Sequence, residues 1–362
     1  MSFKRPARVL ALVGVLGILG ASCAGGAEDP CDPGDKAADG GANVGIAFDV
    51  GGLGDKSFND AAHRGLIQAI DDGLVSQANC LEANATGSNR DDNVLNLADQ
   101  GVDAVGAIGF AFSPGIVEIA PDYPDTKFGV IDGYATCGDP CGLKPVETDN
   151  VSDLTFKEHE GSFLVGVAAG LATEAKIVGF LGGQEGTGLI EKFQAGYEQG
   201  VKEVCPDCQI LVHYIGDSVQ AFNDPTRGEA LSGAMYDDGA DVIYHAAGAS
   251  GLGLFKAAVE AGPDALAIGV DSDQYLTASK EEKPHILTSM IKRVDTAIFN
   301  FIESVDKGNF VPGPQVFGLA EQGVDYSQSN KELMTDEMIS TIDGYKQQII
   351  DGEIVVLEEP RA

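Results

Sequence analysis

The feature that most constrains the fold is a repeated alternation of strand and helix patterns that begins at Ala42. In the first cycle, the apolar run Val44–Asp49 is followed by helical periodicity over residues 57–72. Such cycles form two successive runs, divided near residue 150. Strands that alternate with helices of this length predict parallel sheets with helices on both faces. We therefore expect an α/β protein with two doubly wound lobes.

Three of the predicted strands end in an aspartate: Asp49, Asp132 and Asp271. In open α/β sheets, ligands bind beyond the carboxyl ends of the strands. A single acid at such a position also suits a helix cap or a turn. The convergence of three acids at equivalent positions nevertheless predicts a binding site.

The amino-terminal region has the pattern of an export signal. A short positive segment precedes an uncharged apolar run over residues 9–19, which is too short to span a bilayer permanently. We predict a signal peptide over residues 1–22 and acylation of Cys23, although Gly20 stands where a lipobox usually has leucine. Plain secretion with a free Cys23 is the alternative. The small, polar and acidic residues that follow predict a flexible tether over residues 23–41.

Six cysteines follow Cys23, and an even number in an exported chain favours disulfides. The favoured pairs are Cys137–Cys141, Cys205–Cys208 and Cys31–Cys80. A zinc site made from the thiolates of Cys137, Cys141, Cys205 and Cys208 is the alternative. It requires reduced cysteines, which an oxidising compartment opposes. A redox role for Cys205 and Cys208 is disfavoured because a redox CxxC motif opens a helix, whereas this one follows a predicted helix.

The composition excludes two classes of partner. The formal net charge of −33 opposes binding to nucleic acid, which requires a basic face. The same charge opposes electrostatic binding to anionic lipid. Tryptophan is absent, which excludes stacking of carbohydrate on indole. We interpret the acidic residues as a solvated surface.

The most informative stretch runs from Asp49 to Asn59 and reads DVGGLGDKSFN. It resembles the opening motif of the basic membrane protein family, which includes the bacterial purine nucleoside receptors. Further stretches that resemble this family, in the same order, are Val130–Asp132, Gly182–Gly183 with Phe193 and Gly196, Ala267–Gln274 and Leu287–Asp295. The resemblance covers the chain from about Val44 to Leu357.

The resemblance implies a type I periplasmic-binding-protein fold, in which two lobes clamp a ligand at a hinge. The expected lobes are residues 42–150 plus about 275–312, and residues 151–274 plus about 313–362.

Near the carboxyl terminus, the pattern predicts a helix over residues 331–350 and a last strand, Ile354–Leu357.

The same resemblance implies how a base would be bound. Phe58 and Phe193, one from each lobe, would stack on its two faces, because aromatic rings capture a flat heterocycle well. Core packing is the ordinary alternative for an isolated phenylalanine. Asp49, Asn59 and Asp132 would form hydrogen bonds with the edge of the base.

For the sugar, the resemblance implies a second set of contacts. Asp271 would accept hydrogen bonds from the ribose hydroxyls, and Lys292 would donate to the ribose and balance the charge. An ordinary surface lysine is the alternative for Lys292. Gly248 and Gly251 would let the backbone approach the sugar closely.

The expected function is therefore that of a monomeric substrate-binding lipoprotein of an ABC importer. It would hold a nucleoside, with purine favoured, and deliver it to permease subunits at the extracytoplasmic face of the membrane. No cofactor or metal is expected. A module for a sugar or a small signal is one alternative. A nucleoside hydrolase or an exported oxidoreductase is disfavoured, because the five histidines have no metal-binding spacing and no serine lies in a G-x-S-x-G motif.

Overall fold

The computed structural model describes residues 29–138 and 148–361. Within these residues, two six-stranded sheets form the centres of two lobes. The first sheet contains β1 (Ala42–Phe48), β2 (Val75–Glu82), β3 (Ala104–Ile108), β4 (Lys127–Ile131), β5 (Val151–Phe156) and β11 (Gly313–Phe317). The second sheet contains β6 (Ile177–Gln184), β7 (Gln209–Gly216), β8 (Val242–Ala246), β9 (Leu266–Asp271), β10 (Ile286–Lys292) and β12 (Val324–Tyr326).

Helices cover both faces of each sheet. They are α1 (Phe58–Asp71), α2 (Arg90–Ala98), α3 (Ser113–Ile119), α4 (Glu158–Ala172), α5 (Leu189–Val204), α6 (Pro225–Asp237), α7 (Leu252–Ala261), α8 (Gln274–Thr277), α9 (Val294–Asp306) and α10 (Asp336–Ile350). The inner strands are buried on both sides, since the neighbouring residues Ile46 and Ala47 of β1, which point to opposite faces, have no exposed surface. This double burial explains why the central strands consist of nearly continuous apolar residues.

The strand order is that of two doubly wound sheets. It is β11-β5-β4-β3-β1-β2 in the first lobe and β12-β10-β9-β8-β6-β7 in the second. The described strand pairs are parallel, apart from the antiparallel pair of β10 with β12. The predicted α/β class with two doubly wound lobes is therefore confirmed.

The expected lobe boundaries need correction. β5 lies in the first sheet although it follows residue 150, and β10 lies in the second sheet although it falls within 275–312. β11 returns to the first sheet before β12 joins the second. The chain therefore crosses between lobes after β5, after β10 and after β11. Strand pairing determines these positions, and the helical and apolar patterns alone do not reveal it.

The predicted tether is wrong for residues 31–41. Cys31 is fully buried and forms a disulfide with Cys80 of β2, with their Cα atoms 6.0 Å apart. Ala38 N donates to Val75 O at 2.8 Å, which adds a backbone link to the same strand. These contacts fix this segment against the first lobe. Cys23 lies outside the described residues.

Three further cysteines also form disulfides. Cys205 and Cys208 are joined to each other, with a Cα separation of 5.3 Å. Cys137 is disulfide-bonded, and Cys141 lies outside the described residues. Since Cys205 and Cys208 are bonded to each other, neither thiolate is available for the alternative zinc site.

The carboxyl-terminal segment differs from the prediction in two ways. The last helix, α10, begins at Asp336, where Thr335 Oγ1 accepts from Met338 N at 3.2 Å and caps it. The stretch Ile354–Leu357 is not a strand, because the side chain of Gln199 on α5 binds its backbone in place of a neighbouring strand. No helix in the described ranges combines the length and the apolar character that crossing a membrane requires.

Candidate functional site

A cleft lies where the carboxyl ends of the strands from the two sheets meet. Its empty volume is about 610 Å³, part of which is open to solvent. Eight residues singled out in the sequence line it: Asp49, Phe58, Asn59, Asp132, Phe193, Gly248, Asp271 and Lys292. The fold therefore brings together side chains that are widely separated along the chain.

Gly251 is not among the residues that line the cleft. It packs against the imidazole of His245, where a Cβ atom would overlap the ring. Gly248 does line the cleft and has a φ of 54°, in the left-handed region that favours glycine. Gly248 therefore lies where a close backbone approach to a ligand is expected, whereas Gly251 is not at the cleft and its expected place there needs correction.

The turn before α1 positions the first-lobe residues of the cleft. Asp55 is 3% exposed, and its carboxylate accepts from Ser57 N at 2.9 Å and from Asn59 N at 2.8 Å. These bonds satisfy two of the N–H groups at the start of the helix, which have no partner within the helix. Asn59 in turn accepts from Asp49 N at 3.0 Å through its Oδ1 atom. The turn therefore fixes Phe58 at the amino end of α1.

Asp49 has a cationic partner that the sequence analysis missed. Arg90 of α2 binds its Oδ1 atom through both Nε, at 2.7 Å, and Nη2. Burial raises the pKa of the Asp49 carboxyl above its usual value, although the Arg90 guanidinium acts in the opposite direction. Arg90 opens a predicted helix, but nothing in its local sequence indicates that it reaches the end of β1.

Close packing of two helices positions Phe193. At Gly196 of α5, a Cβ atom would overlap the backbone carbonyl of His159 on α4, so that only glycine permits this approach. Phe193 lies one turn before Gly196 and is 3% exposed. The amino end of α4 and the ring of Phe193 are consequently held close to the end of β10.

Lys292, the last residue of β10, lines the cleft. It is 2% exposed, and its Nζ atom is 2.6 Å from Asp132 Oδ2 and 3.1 Å from Glu158 Oε1. The same atom is 5.4 Å from the ring centroids of both Phe58 and Phe193. Such distances allow a cation–π interaction with each ring.

Nearby carboxylates keep the Lys292 ammonium charged. Burial alone lowers the pKa of the Lys292 ammonium, but Asp132, Glu158 and Asp271 raise it above its ordinary value. Glu158, which is 1% exposed and begins α4, was not predicted from the sequence. An acid at the start of a helix made of small apolar residues is a signal that could have identified it.

Two of the carboxylates that line the cleft have unusual backbone conformations. Asp132 follows β4 with a φ of 57°, and Asp271 ends β9 with a φ of 62°. For residues other than glycine the left-handed region is uncommon, although aspartate tolerates it better than most. Strained backbone of this kind clusters at functional sites. The same feature at equivalent strand ends of both lobes supports this cleft as the binding site.

Asp271 also forms a hydrogen bond between the two lobes. Ser57 Oγ of the first lobe donates to Asp271 Oδ2 at 2.6 Å. Burial raises the pKa of the Asp271 carboxyl to about 6, against the lowering effect of Lys292 and the Ser57 hydroxyl. The Asp271 carboxyl consequently changes charge near pH 6.

Two further aromatic residues of the cleft were not predicted. Phe110 follows β3 and Phe222 follows β7, and their rings meet across the lobes with centroids 6.5 Å apart and planes at 70°. Edge-to-face contacts at this distance are favourable. Phe110 lies two residues after the last residue of β3, so the strand-end rule applied to Asp49 could have found it.

Comparisons with known proteins agree with this architecture. Residues 42–359 match the family model Bmp, described as "ABC transporter substrate-binding protein PnrA-like". Basic membrane protein A2 of Borrelia garinii subsp. bavariensis is 32% identical, over 84% of this chain and 86% of that protein. The ABC transporter nucleoside-binding protein BmpA of Lactococcus lactis subsp. cremoris is 29% identical, over 86% of this chain and 88% of that protein.

A solved structure shows the same fold. A solute-binding protein of an ABC transporter system from Aeropyrum pernix K1 aligns with a TM-score of 0.74 and 26% identity, over 88% of this chain and 94% of that one. The expected type I periplasmic-binding-protein fold and the resemblance to basic membrane proteins are thus confirmed. From these matches and the two-lobed cleft, we conclude that the chain belongs to the PnrA-like family of ABC transporter substrate-binding proteins.

Proposed function

We propose that the protein binds a nucleoside in this cleft and delivers it to an ABC permease. The observation that carries the proposal is that Phe58 of the first lobe and Phe193 of the second line one cleft, each at 5.4 Å from the same buried ammonium. Two rings from opposite lobes suit a flat base that is gripped as the lobes close. The name of the relative in Lactococcus lactis supports the same ligand class.

The polar groups of the cleft suit the donors of a nucleoside. Asp49, Asn59 and Asp132 would bind the edge of the base, with Asn59 able to donate as well as accept. Asp271 would accept from the ribose hydroxyls, and Lys292 would donate to the sugar. Gly248 would admit the sugar close to the backbone.

The charge balance favours nucleosides over nucleotides. Four carboxyl groups line the cleft (Asp49, Asp55, Asp132 and Asp271), and Lys292 is the cation that lines it among the described residues. A phosphate group would be repelled by these acids and would gain little from an ammonium that two carboxylates already contact. The preference for purine over pyrimidine is part of the proposal and rests on the family resemblance.

Calorimetric titration with guanosine, adenosine, inosine, cytidine and free bases tests the proposal. We expect binding of at least one nucleoside, no binding of D-ribose alone, and no release of free base on prolonged incubation. Failure of every nucleoside to bind would refute the proposed ligand class. Binding of D-ribose alone would favour the sugar-binding alternative, and release of base would favour a hydrolase.

The affinity should depend on pH through Asp271. Its pKa is about 6, so that roughly one-tenth of this carboxyl is ionised at pH 5 and nearly all of it at pH 7.5. Ligand hydroxyls donate to the ionised form, so binding must displace a proton below pH 6. We expect about tenfold weaker binding at pH 5 than at pH 7.5, measured with a nucleoside that does not itself titrate in this range. Asp271→Asn should bind more weakly and should lose this pH dependence; an unchanged profile would exclude the assigned role.

The location of the protein is part of the same proposal. Acylation of Cys23 would attach a monomer to the extracytoplasmic face of the membrane, where it could reach the permease. The mass of the mature amino terminus tests this point, because a lipidated chain carries acyl groups on its first residue. A mature chain with an unmodified cysteine, or one cleaved elsewhere, would contradict it.

A further inference from the structure

Glu158 lies next to the cleft but is not one of the residues that line it. It is the first residue of α4, just after the chain leaves the first sheet at the end of β5. Lys292 ends β10, just before the chain returns to the first lobe at α9. The contact of 3.1 Å between them therefore joins two of the segments that cross between the lobes. Crossing segments lie at the hinge, where distances change least as lobes open and close.

The geometry points to Glu158 as a positioning residue, which holds the Lys292 ammonium in place for the ligand. This inference rests on the proposed function. Neither carboxylate oxygen of Glu158 accepts a hydrogen bond of ordinary geometry from another described residue, and Glu158 forms an ion pair with Lys292 at 3.1 Å. Burial raises the pKa of the Glu158 carboxyl, whereas Lys292 acts to lower it. A buried acid whose main contact is a cation that lines the cleft acts through that cation.

The ammonium has three N–H donors. Asp132 accepts one at 2.6 Å, and Glu158 lies 3.1 Å from the same nitrogen as an ion pair, so that the ammonium can still donate to a ligand oxygen. Held from two sides, the ammonium stays near both Phe58 and Phe193. With Asp132 alone, it could rotate towards the first lobe and away from the ligand.

Among the described residues, a second cation near Glu158 is Lys192. It precedes Phe193 on α5, is 21% exposed at its side chain, and lies 3.6 Å from Glu358. The nearby Glu158 carboxylate raises the pKa of Lys192 against the effect of burial. Because Lys192 does not line the cleft and has Glu358 as a partner, loss of Glu158 should affect the ligand through Lys292.

The charges of the cluster determine how stability should respond. Asp132, Glu158 and Asp271 are three buried carboxyls that surround one buried ammonium. Replacement of Glu158 by the isosteric glutamine removes an excess negative charge and leaves Asp132 to pair with Lys292. A purely structural role predicts a lower melting temperature. A positioning role predicts weaker binding with little change in stability.

The test compares nucleoside affinity in Glu158→Gln with that in Glu160→Gln, a matched control on the same helix. Glu160 pairs with Lys157 at 3.1 Å and accepts from Leu319 N at 2.8 Å, away from Lys292. We expect roughly tenfold weaker binding for Glu158→Gln, since an ammonium that moves out of place loses part of its charge-assisted hydrogen bond to the ligand. The control should remain within twofold of the unaltered protein.

The double variant that combines Glu158→Gln with Lys292→Met tests whether Glu158 acts on the ligand through Lys292. If Glu158 acts through Lys292, then adding Glu158→Gln to Lys292→Met should change the affinity less than twofold. Equal affinity in Glu158→Gln and the unaltered protein would overturn the inference but leave the proposed function intact. Failure of the unaltered protein to bind any nucleoside would overturn both. If the double variant does not fold, the comparison of the two single glutamine variants decides.

Discussion

Replacement of Lys292 by methionine should lower the free energy of unfolding by about 3–5 kcal/mol, because it removes one partner of a buried ion pair. The two carboxylates within 3.1 Å of its ammonium, those of Asp132 and Glu158, are 4% and 1% exposed as residues. Without the ammonium they must stay charged and desolvated or must take up protons. Urea denaturation at pH 8 measures the loss.

The dependence of this loss on pH identifies its cause. Protonation relieves the unpaired carboxyls, so the difference in unfolding free energy between variant and parent should be smaller at pH 5 than at pH 8. Lys307→Met is a matched control, since Lys307 is 53% exposed at its side chain and pairs with Glu303 on the surface of α9. Surface pairs contribute about 0–1 kcal/mol. A Lys292 variant no less stable than this control would show that the ammonium is not the charge that the buried acids require.

Regular patterns made the central part of the fold predictable from sequence. The inner parallel strands are runs of buried apolar residues, and the helices between them have a clear apolar period, so both lobes could be predicted. The strands that were missed are β5, β11 and β12. β11 is an edge strand that contains Pro314 and is half exposed, which a pattern of buried residues does not reveal. Because these strands adjoin the crossings between lobes, the boundaries were misplaced as well.

The residues of the candidate site were likewise predicted only in part from the sequence. Asp49, Asp132 and Asp271 were found because the carboxyl ends of parallel strands meet at one edge, whatever lies between them in the chain. Arg90 and Glu158 were missed because each is defined by a partner far away in sequence, Asp49 for the first and Lys292 for the second. Gly251 was predicted to approach the sugar because of the family resemblance, but its lack of a side chain makes room for the ring of His245. Sequence position therefore predicts strand-end residues well and their charge partners poorly.

The second large effect is a loss of nucleoside affinity when Phe58 or Phe193 is replaced. Phe58→Ala and Phe193→Leu should each weaken nucleoside binding about tenfold or more, and the double variant about 100-fold or more. Stacking of a base on an aromatic ring contributes about 1–3 kcal/mol, and each 1.4 kcal/mol is tenfold in affinity. Phe58 is partly exposed at a helix start, so alanine is tolerated there. Phe193 is 3% exposed, and leucine removes its π face while filling most of its volume.

Phe180→Leu separates the loss of stacking from general damage to the core. Phe180 is fully buried in the same lobe, contacts the rings of Tyr197 and Tyr244, and is not among the residues that line the cleft. It should lose stability comparable to that of Phe193→Leu but should keep its affinity within about twofold. Thermal unfolding and calorimetry on the same samples give both quantities. If Phe58→Ala and Phe193→Leu are folded and bind a nucleoside as tightly as the parent, the base does not lie between these rings. The strand-end carboxyls of Asp49, Asp132 and Asp271 would then have to account for ligand recognition alone, as they could for a sugar without a base.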